Sequence, residues 1–336
     1  MLFSERYGYK KIDKTLLNKE NKEKEINKIH REFLMANRGF IFDLMDEISN
    51  ASTVHQRLIK DFEEKFKVNL VCYIALFGHP AGAIGHEDGE IIENILRSIK
   101  LSENPLYLLL HTPGGSPEAA ANVIRVCRSY SKRFSVIIPN AAMSAGTLIA
   151  MGADDIIMSD TSKLGPIDPQ MIFVQEKGVA IMRPAKSFID AYIDLINSAK
   201  HAIATGQPAT PFLHLLNRQD PSWIIECVRA RNATENLAKE VLKRNMLKDK
   251  SEKEINSVVK RFFEIGDKNT HGRPISPEEA EDFGLKIRKE NKYSEFWNKV
   301  WEIYVRTELY TRNKRLAKYL CARHGGIEVQ ARQINF

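Results

Sequence analysis

The sequence has no long hydrophobic run. Its longest apolar stretch, residues 70–77, has only eight members, whereas a helix that crosses a membrane needs about twenty. The first residues, MLFSERYGYKK, contain no apolar segment of the kind that precedes a signal-peptidase site, so we expect no secretory signal. Both absences predict a cytoplasmic protein without a membrane span.

Cysteine is scarce. Four cysteines are scattered through 336 residues, and no two of them have CxxC spacing. This distribution argues against a disulfide framework and against a structural zinc site. We expect buried thiols in a reducing compartment.

A one-sided charge is also missing. Lys and Arg number 50 against 43 Asp and Glu, and the formal net charge of +7 is spread over segments of mixed sign. A nucleic-acid site would need a basic face with aromatic residues between the charges. The nearest candidate is the tail RTELYTRNKRLAKYLCARHGG, which we interpret as a solvated helix face, so nucleic-acid binding is not expected.

Short apolar segments alternate with amphipathic ones in the middle of the chain. Strands are predicted at NLVCYIALFG, NPLYLLLHTPGG, FSVIIPN and DDIIMSD. Helices are predicted at EIIENILRSIK, PEAAANVIRVCRSYS and SAGTLIAMG. Such alternation favours βαβ units, a mostly parallel sheet and the α/β class.

Both flanks of this region have a helical pattern. Residues 1–65 are rich in Lys, Glu and Asn with opposite charges three or four positions apart, which favours an exposed helix. We predict a helical N-terminal extension over 1–65 and a core over 66–290 with a helical insert around 205–265. A helical C-terminal extension is predicted over 291–336.

The first bend with candidate chemistry is HTPGGS, residues 111–116, which lies between a predicted strand and a predicted helix. Two adjacent glycines allow main-chain amides to turn toward a ligand. Alone, the pair is more often a tight turn. His111 precedes the glycines, and we expect it to pack behind the residues that line the pocket rather than to line the pocket itself.

The second bend is NAAMSAGT, residues 140–147, where a strand ends and a helix begins. The hydroxyl of Ser144 would lie at the positive end of that helix, and the Ala145 amide would stabilise an oxyanion. Alone, such a serine is usually an N-cap. The GxSxG pattern is half met, since Ala142 and Gly146 flank the serine.

As a set, HTPGGS, AAMSAGT, GPIDPQ and HGRPISPEEAEDFGLKI resemble the Clp/crotonase superfamily, and in particular the serine dehydrogenase proteinase (SDH) family. Its relatives include the Clp proteolytic subunit and signal peptide peptidase A. The resemblance implies a Clp/crotonase-like core of repeated ββα units, peptide-bond hydrolysis without cofactor or metal, and a trimer-based or ring-shaped homo-oligomer. It gives Ser144 the role of nucleophile and assigns the oxyanion hole to Gly114, Gly115 and Ala145.

The sequence leaves open which residue is the base that would activate Ser144. The Clp subunit has a histidine downstream of its serine, but the loop LGPIDP has none. Lys186 matches the lysine of signal peptide peptidase-like enzymes and would serve only if burial or positive charge lowered its pKa. The alternative is a Ser-Asp-His triad with Asp168 and His271. Each of these residues also has a purely structural interpretation. Lys186 would be an ordinary exposed lysine, Asp168 would brace its turn, and His271 would shape the turn before the next helix.

Three functions are compatible with these features. The first is a serine peptidase that forms an acyl-enzyme on Ser144 with a peptide or protein substrate. The second is a crotonase-like acyl-CoA enzyme, which needs a glutamate that the SAG and GPIDP segments lack. The third is a non-catalytic scaffold that binds a partner through the helical extensions. An ATPase partner would be a separate chain, because no P-loop is present.

Overall fold

The described part of the chain begins after most of the predicted N-terminal extension. The computed structural model describes residues 50–99, 101, 103–174, 180–268 and 270–331. The chain divides into two units, 1–51 and 52–336, and the fold described is that of the second. Residues 1–49 of the helical N-terminal extension predicted over 1–65 lie outside the described residues.

The strands are short and most are buried. In chain order they are β1 (Asn69–Ala75), β2 (Leu106–His111), β3 (Phe134–Ile138), β4 (Ala141–Ala142), β5 (Asp155–Met158), β6 (Lys163–Leu164), β7 (Gln170–Val174), β8 (Ala180–Pro184), β9 (Ile287–Lys289), β10 (Leu316–Ala322) and β11 (Gly325–Gln330). Seven of them form one sheet in the order β11-β10-β1-β2-β3-β5-β9.

The helices follow the amphipathic segments of the sequence. They are α1 (Ala51–Phe66), α2 (Glu87–Ile99), α3 (Pro117–Tyr130), α4 (Ala145–Met151), α5 (Ala185–Ala204), α6 (Thr210–Leu216), α7 (Pro221–Arg244), α8 (Glu252–Lys268), α9 (Pro277–Asp282) and α10 (Glu295–Asn313). Among the described residues, none of these helices has the length and apolar content that a membrane crossing requires.

The parallel part of the sheet agrees with the prediction from alternating strands and helices. β1, β2, β3, β5 and β9 pair in parallel. Because helices cover both faces, β1, β2, β3 and β5 have mostly apolar sequences without a polar alternation. One face packs against α2, α3, α4, α7 and α8, and the other against α1 and α10. The helical insert consists of α6, α7 and most of α8.

The C-terminal region differs from the predicted helical extension. α10 is a helix, but β10 and β11 then form an antiparallel hairpin, and β10 pairs with β1 as the second strand from the edge of the sheet. All seven residues of β10 are buried. A short apolar run such as LAKYLCA suits a buried strand as well as a helix, so periodicity could not decide between them.

A second hairpin, β7–β8, was not predicted. Its strands pair antiparallel from Gln170 opposite Pro184 to Val174 opposite Ala180. It follows the GPIDPQ loop and leads directly into α5. The hairpin therefore connects the core to the helical insert.

The side chains of β2 are closely packed, and this packing stabilises the fold. We expect Leu108→Ala to lower the free energy of unfolding by about 2–5 kcal/mol, because the cavity would lie in a fully packed layer. Leu108 is 1% exposed. Urea unfolding measures the change. Leu309→Ala is the matched control, since Leu309 on α10 is 54% exposed, and an equal loss in both variants would contradict this description of the core.

Candidate active site

Main-chain hydrogen bonds hold the two predicted bends side by side. The Thr112 amide donates to the Ala141 carbonyl at 3.0 Å, and the Met143 amide donates to the Thr112 carbonyl at 3.0 Å. Thr112 and Ala142 thus form a parallel bridge at the carboxyl ends of their strands. The HTPGG and AAMSAGT segments are neighbours in space, as the sequence predicts for a shared site.

Ser144 occupies an uncommon backbone conformation. Its φ is 51° and its ψ is −116°, in a region that residues other than glycine seldom adopt. It stands at the N-cap position of α4, yet its side chain makes no capping hydrogen bond. The residue is half-buried. The simple N-cap interpretation therefore fails, and the strain resembles that of a serine presented on a tight strand-to-helix turn.

Gly114 lies directly against this serine. Its φ is +102°, and a Cβ at this position would lie 2.7 Å from the Ser144 Cβ and 3.3 Å from the Ala145 amide nitrogen. Any side chain would therefore push the two bends apart. The glycine is required both for its backbone angle and for the close approach.

Within the described residues, one main-chain amide in each bend lacks a hydrogen-bond acceptor. Ile84 pairs with the glycine bend through the Gly114 carbonyl at 2.7 Å and the Ser116 amide at 3.0 Å, which leaves the Gly115 amide out of the bridge. In the part of the chain that the structure describes, neither the Gly115 amide nor the Ala145 amide donates a hydrogen bond. The Gly114 amide faces the Thr112 hydroxyl at 3.2 Å. Gly115 and Ala145 are therefore the better pair of donors for a negatively charged oxygen.

The GPIDP loop is fastened to the serine bend. The Thr147 hydroxyl lies 2.9 Å from the Gly165 carbonyl and accepts from the Gly165 amide at 3.0 Å. Leu164 and Ile275 exchange two main-chain hydrogen bonds of 3.0 and 2.9 Å. These contacts place the segment around residue 271 at the edge of the core where the serine bend lies.

Asp168 and His271 form a hydrogen-bonded pair. His271 Nδ1 lies 2.9 Å from Asp168 Oδ1, and the aspartate side chain is 1% exposed. The other carboxylate oxygen accepts from Gln170 Nε2 at 2.8 Å. A carboxylate can only accept, so Nδ1 carries a proton, and in the neutral imidazole Nε2 is then the nitrogen with a lone pair. This is the arrangement in which a histidine serves as a general base.

Lys186 stands apart from these groups. It lies in the first turn of α5, and its ammonium pairs with Asp190 at 2.8 Å. Among the described residues it makes no hydrogen bond to Ser144. The structure brings Asp168 and His271 together and leaves Lys186 with another partner.

His111 is buried between aromatic rings. It packs against Phe77 and Tyr304 and borders a cavity of about 430 Å³. Its Nδ1 faces the Ala141 amide at 3.4 Å. Burial is the main cause that lowers the pKa of His111 to about 4, and the positive charges of Arg312 and Lys163 act in the same direction. The side chain is therefore neutral at physiological pH and supports the bend.

Some contacts were missed by sequence reasoning. A Cβ on Gly266 of α8 would lie 1.9 Å from Asp168 Oδ1, so only glycine leaves room for the carboxylate. A glycine inside the helical segment FFEIGDK was a visible signal, since helices disfavour it. Gln170 and Ile84 gave no such signal. Within the described residues, no cluster of His, Cys, Asp and Glu could hold a metal ion.

A family model and two curated proteins match this chain. The model of ClpP-like SDH-type serine proteinases matches residues 40–204. The uncharacterized protein MJ0137 of Methanocaldococcus jannaschii is 32% identical over 240 residues, covering 70% of this chain and 69% of the relative. MJ1495 of the same organism is 36% identical over 115 residues, covering 33% of this chain and 39% of that protein.

Two solved structures were also found. A mutant of the 1510-N membrane-bound stomatin-specific protease has a TM-score of 0.27 and 21% identity, covering 39% of this chain and 63% of that one. A ClpP1 mutant from Listeria monocytogenes has a TM-score of 0.36 and 16% identity, covering 68% of this chain and 96% of that one.

The chain belongs to the ClpP-like SDH-type serine proteinase family. This membership confirms the resemblance predicted from the HTPGGS, AAMSAGT and GPIDPQ segments. The central sheet confirms the α/β class. The roles of individual residues are still predictions.

The buried His111 predicts a pH dependence of stability. Its folded pKa of about 4 lies below the ordinary value of 6.5, so the unfolded chain binds the proton first as the pH falls. Stability should therefore decrease between pH 6.5 and 4, with a contribution of roughly 3 kcal/mol from this histidine. His111→Asn keeps an acceptor for the Ala141 amide and should flatten the dependence.

Urea unfolding at several pH values measures this change. His201→Asn is the control, because His201 is exposed and its replacement should leave the dependence unchanged. An unaltered pH profile in His111→Asn would show that folding does not lower the pKa of His111, which would contradict the prediction.

Proposed function

We propose that the protein is a serine peptidase in which Ser144 is the nucleophile. The observation that carries the proposal is the uncapped hydroxyl of Ser144, held at a strained backbone angle beside the unpaired amides of Gly115 and Ala145. Strained serines of this kind occur where a hydroxyl must be exposed for reaction. Family membership supports the same chemistry.

The two free amides would form the oxyanion hole. When the Ser144 oxygen attacks a peptide carbonyl, the carbonyl oxygen becomes negative, and the Gly115 and Ala145 amides would donate to it. Such preorganised donors act mainly on the transition state, and loss of one typically raises the barrier by about 3 kcal/mol. The N-terminus of α4 adds a favourable partial positive charge.

His271 would be the base and Asp168 its orienting partner. The Asp168 carboxylate holds Nδ1–H, so Nε2 is the atom that takes the proton from the serine hydroxyl. In the described part of the chain the Ser144 hydroxyl makes no hydrogen bond. Catalytic hydrogen bonds are often long without substrate and shorten in the complex.

The reaction would then follow two steps. Ser144 Oγ forms a bond to the peptide carbonyl carbon while its proton passes to His271, and the C–N bond breaks as the amine takes that proton. Water, deprotonated by His271, hydrolyses the resulting ester and regenerates the hydroxyl. Neither step requires a metal or an organic cofactor.

Assembly into a homo-oligomer remains part of the proposal. Several apolar side chains on the helices that follow the β7–β8 hairpin are exposed, which is typical of surfaces that contact another chain. They are Ile193, Ile203, Leu213, Leu215, Ile225 and Val228.

The nucleophile is tested by Ser144→Ala. We expect complete loss of labelling by a fluorophosphonate probe and of peptide hydrolysis, with an unchanged circular dichroism spectrum, because only the hydroxyl is removed. Ser222→Ala, at an exposed position on α7, should label like the wild type. Labelling of Ser144→Ala at the wild-type rate would remove the assignment.

The base is tested by comparing three variants. His271→Ala and Asp168→Asn should each lower kcat by about 10³–10⁴, since the first removes the proton acceptor and the second disturbs its tautomer. Lys186→Met should retain most of the activity if the triad operates. The reverse order, with Lys186→Met most damaging in hydrolysis assays, would establish the Ser-Lys dyad instead.

A further inference from the structure

A buried ion pair lies behind the glycine bend. Lys318 of β10 is 1% exposed and its Nζ lies 2.8 and 2.9 Å from the two carboxylate oxygens of Asp88, which is fully buried. The Tyr73 hydroxyl also donates to Asp88 Oδ2 at 2.8 Å. Buried charges persist only when they are paired and fully hydrogen-bonded, and both conditions hold here.

This ion pair holds the two peptide groups on either side of Ile84. Lys318 Nζ donates to the Ala83 carbonyl at 2.9 Å. The Gly85 amide donates to Asp88 Oδ2 at 2.8 Å. Hydrogen bonds to charged groups are stronger than neutral ones, so the main chain of Ile84 is fixed from both sides.

Ile84 in turn fixes the glycine bend. Its amide and carbonyl pair with the Gly114 carbonyl and the Ser116 amide, one on each side of Gly115. A Cβ on Gly115 would lie 2.3 Å from the Ile84 nitrogen, which shows how closely the two chains approach. The direction of the Gly115 amide is therefore set by the position of Ile84.

We propose that Lys318 and Asp88 are positioning residues that aim the Gly115 amide into the oxyanion site. The proposal rests on the serine peptidase function proposed above. It gives the C-terminal hairpin a role in the site, although β10 lies outside residues 40–204 that match the family model. Neither charged group touches the reacting atoms, since both act through Ala83, Gly85 and Ile84.

The test compares Lys318→Met with the double variant D88N/K318M. Methionine keeps the length of the lysine stem but removes the donor to Ala83. The single variant leaves the buried Asp88 carboxylate without its cation and is therefore at risk of not folding. The double variant removes both charges, so it can be used for the same measurement if the single variant does not fold. We expect kcat toward a chromogenic ester to fall roughly ten- to a hundredfold, with KM changed less than about threefold.

Arg323→Met provides the matched control. Arg323 follows the same strand and pairs with the buried Glu63 at 2.9 Å, and the hydrogen bonds shown for it do not reach residues 83–85. This variant should lower the melting temperature but keep kcat near the wild-type value. A purely structural role for Lys318 predicts the same behaviour for both ion pairs.

Hydrogen–deuterium exchange gives a readout that does not depend on activity. Peptides covering 80–90 and 112–117 should exchange faster in Lys318→Met and in the double variant than in Arg323→Met. Unchanged exchange, or faster exchange with wild-type kcat in the folded variants, would overturn the proposal. Failure of the wild type to react with a fluorophosphonate would instead refute the peptidase function. The link from Lys318 and Asp88 to the Gly115 amide would then have no catalytic role, whatever the exchange rates are.

Discussion

Three main-chain pairings between non-adjacent segments determine the geometry of the site. The parallel bridge from Ile84 to Gly115 orients an unpaired amide, and the one from Thr112 to Ala142 places the serine bend beside it. The antiparallel bridge from Leu164 to Ile275 brings the Asp168–His271 pair to the same edge. Backbone hydrogen bonds have strict directions, so these pairings align groups from different loops more precisely than side-chain contacts alone would.

The surrounding core supports the strain at Ser144. A non-glycine residue with a positive φ typically costs about 1–3 kcal/mol and persists only where its neighbours over-determine it. All seven residues of α4 are buried, and the Thr147 hydroxyl links this helix to the GPIDP loop. The helix therefore has no room to relax, and the serine keeps its hydroxyl free of the capping bond that it would otherwise make.

Much of this arrangement was predictable from the sequence, and the exceptions have physical reasons. The strands and helices between residues 69 and 158 follow their apolar periodicity, and the two bends follow from their glycines and serine. The ion pair of Lys186 with Asp190 was visible as an i,i+4 spacing. The C-terminal hairpin was not predictable, since its strand has an ambiguous apolar pattern. The Lys318–Asp88 pair joins residues 230 positions apart, and no local rule connects them.

The late position of β10 in the chain bears on biosynthesis. β1, both bends and α4 all leave the ribosome before β10, the strand that pairs with β1. A nascent chain thus carries Ser144 before Lys318, whose ammonium donates to the Ala83 carbonyl, has been translated. We expect the proposed site to become competent only once β10 has docked against β1, so a chain that still lacks this strand would hold Ser144 without a working site.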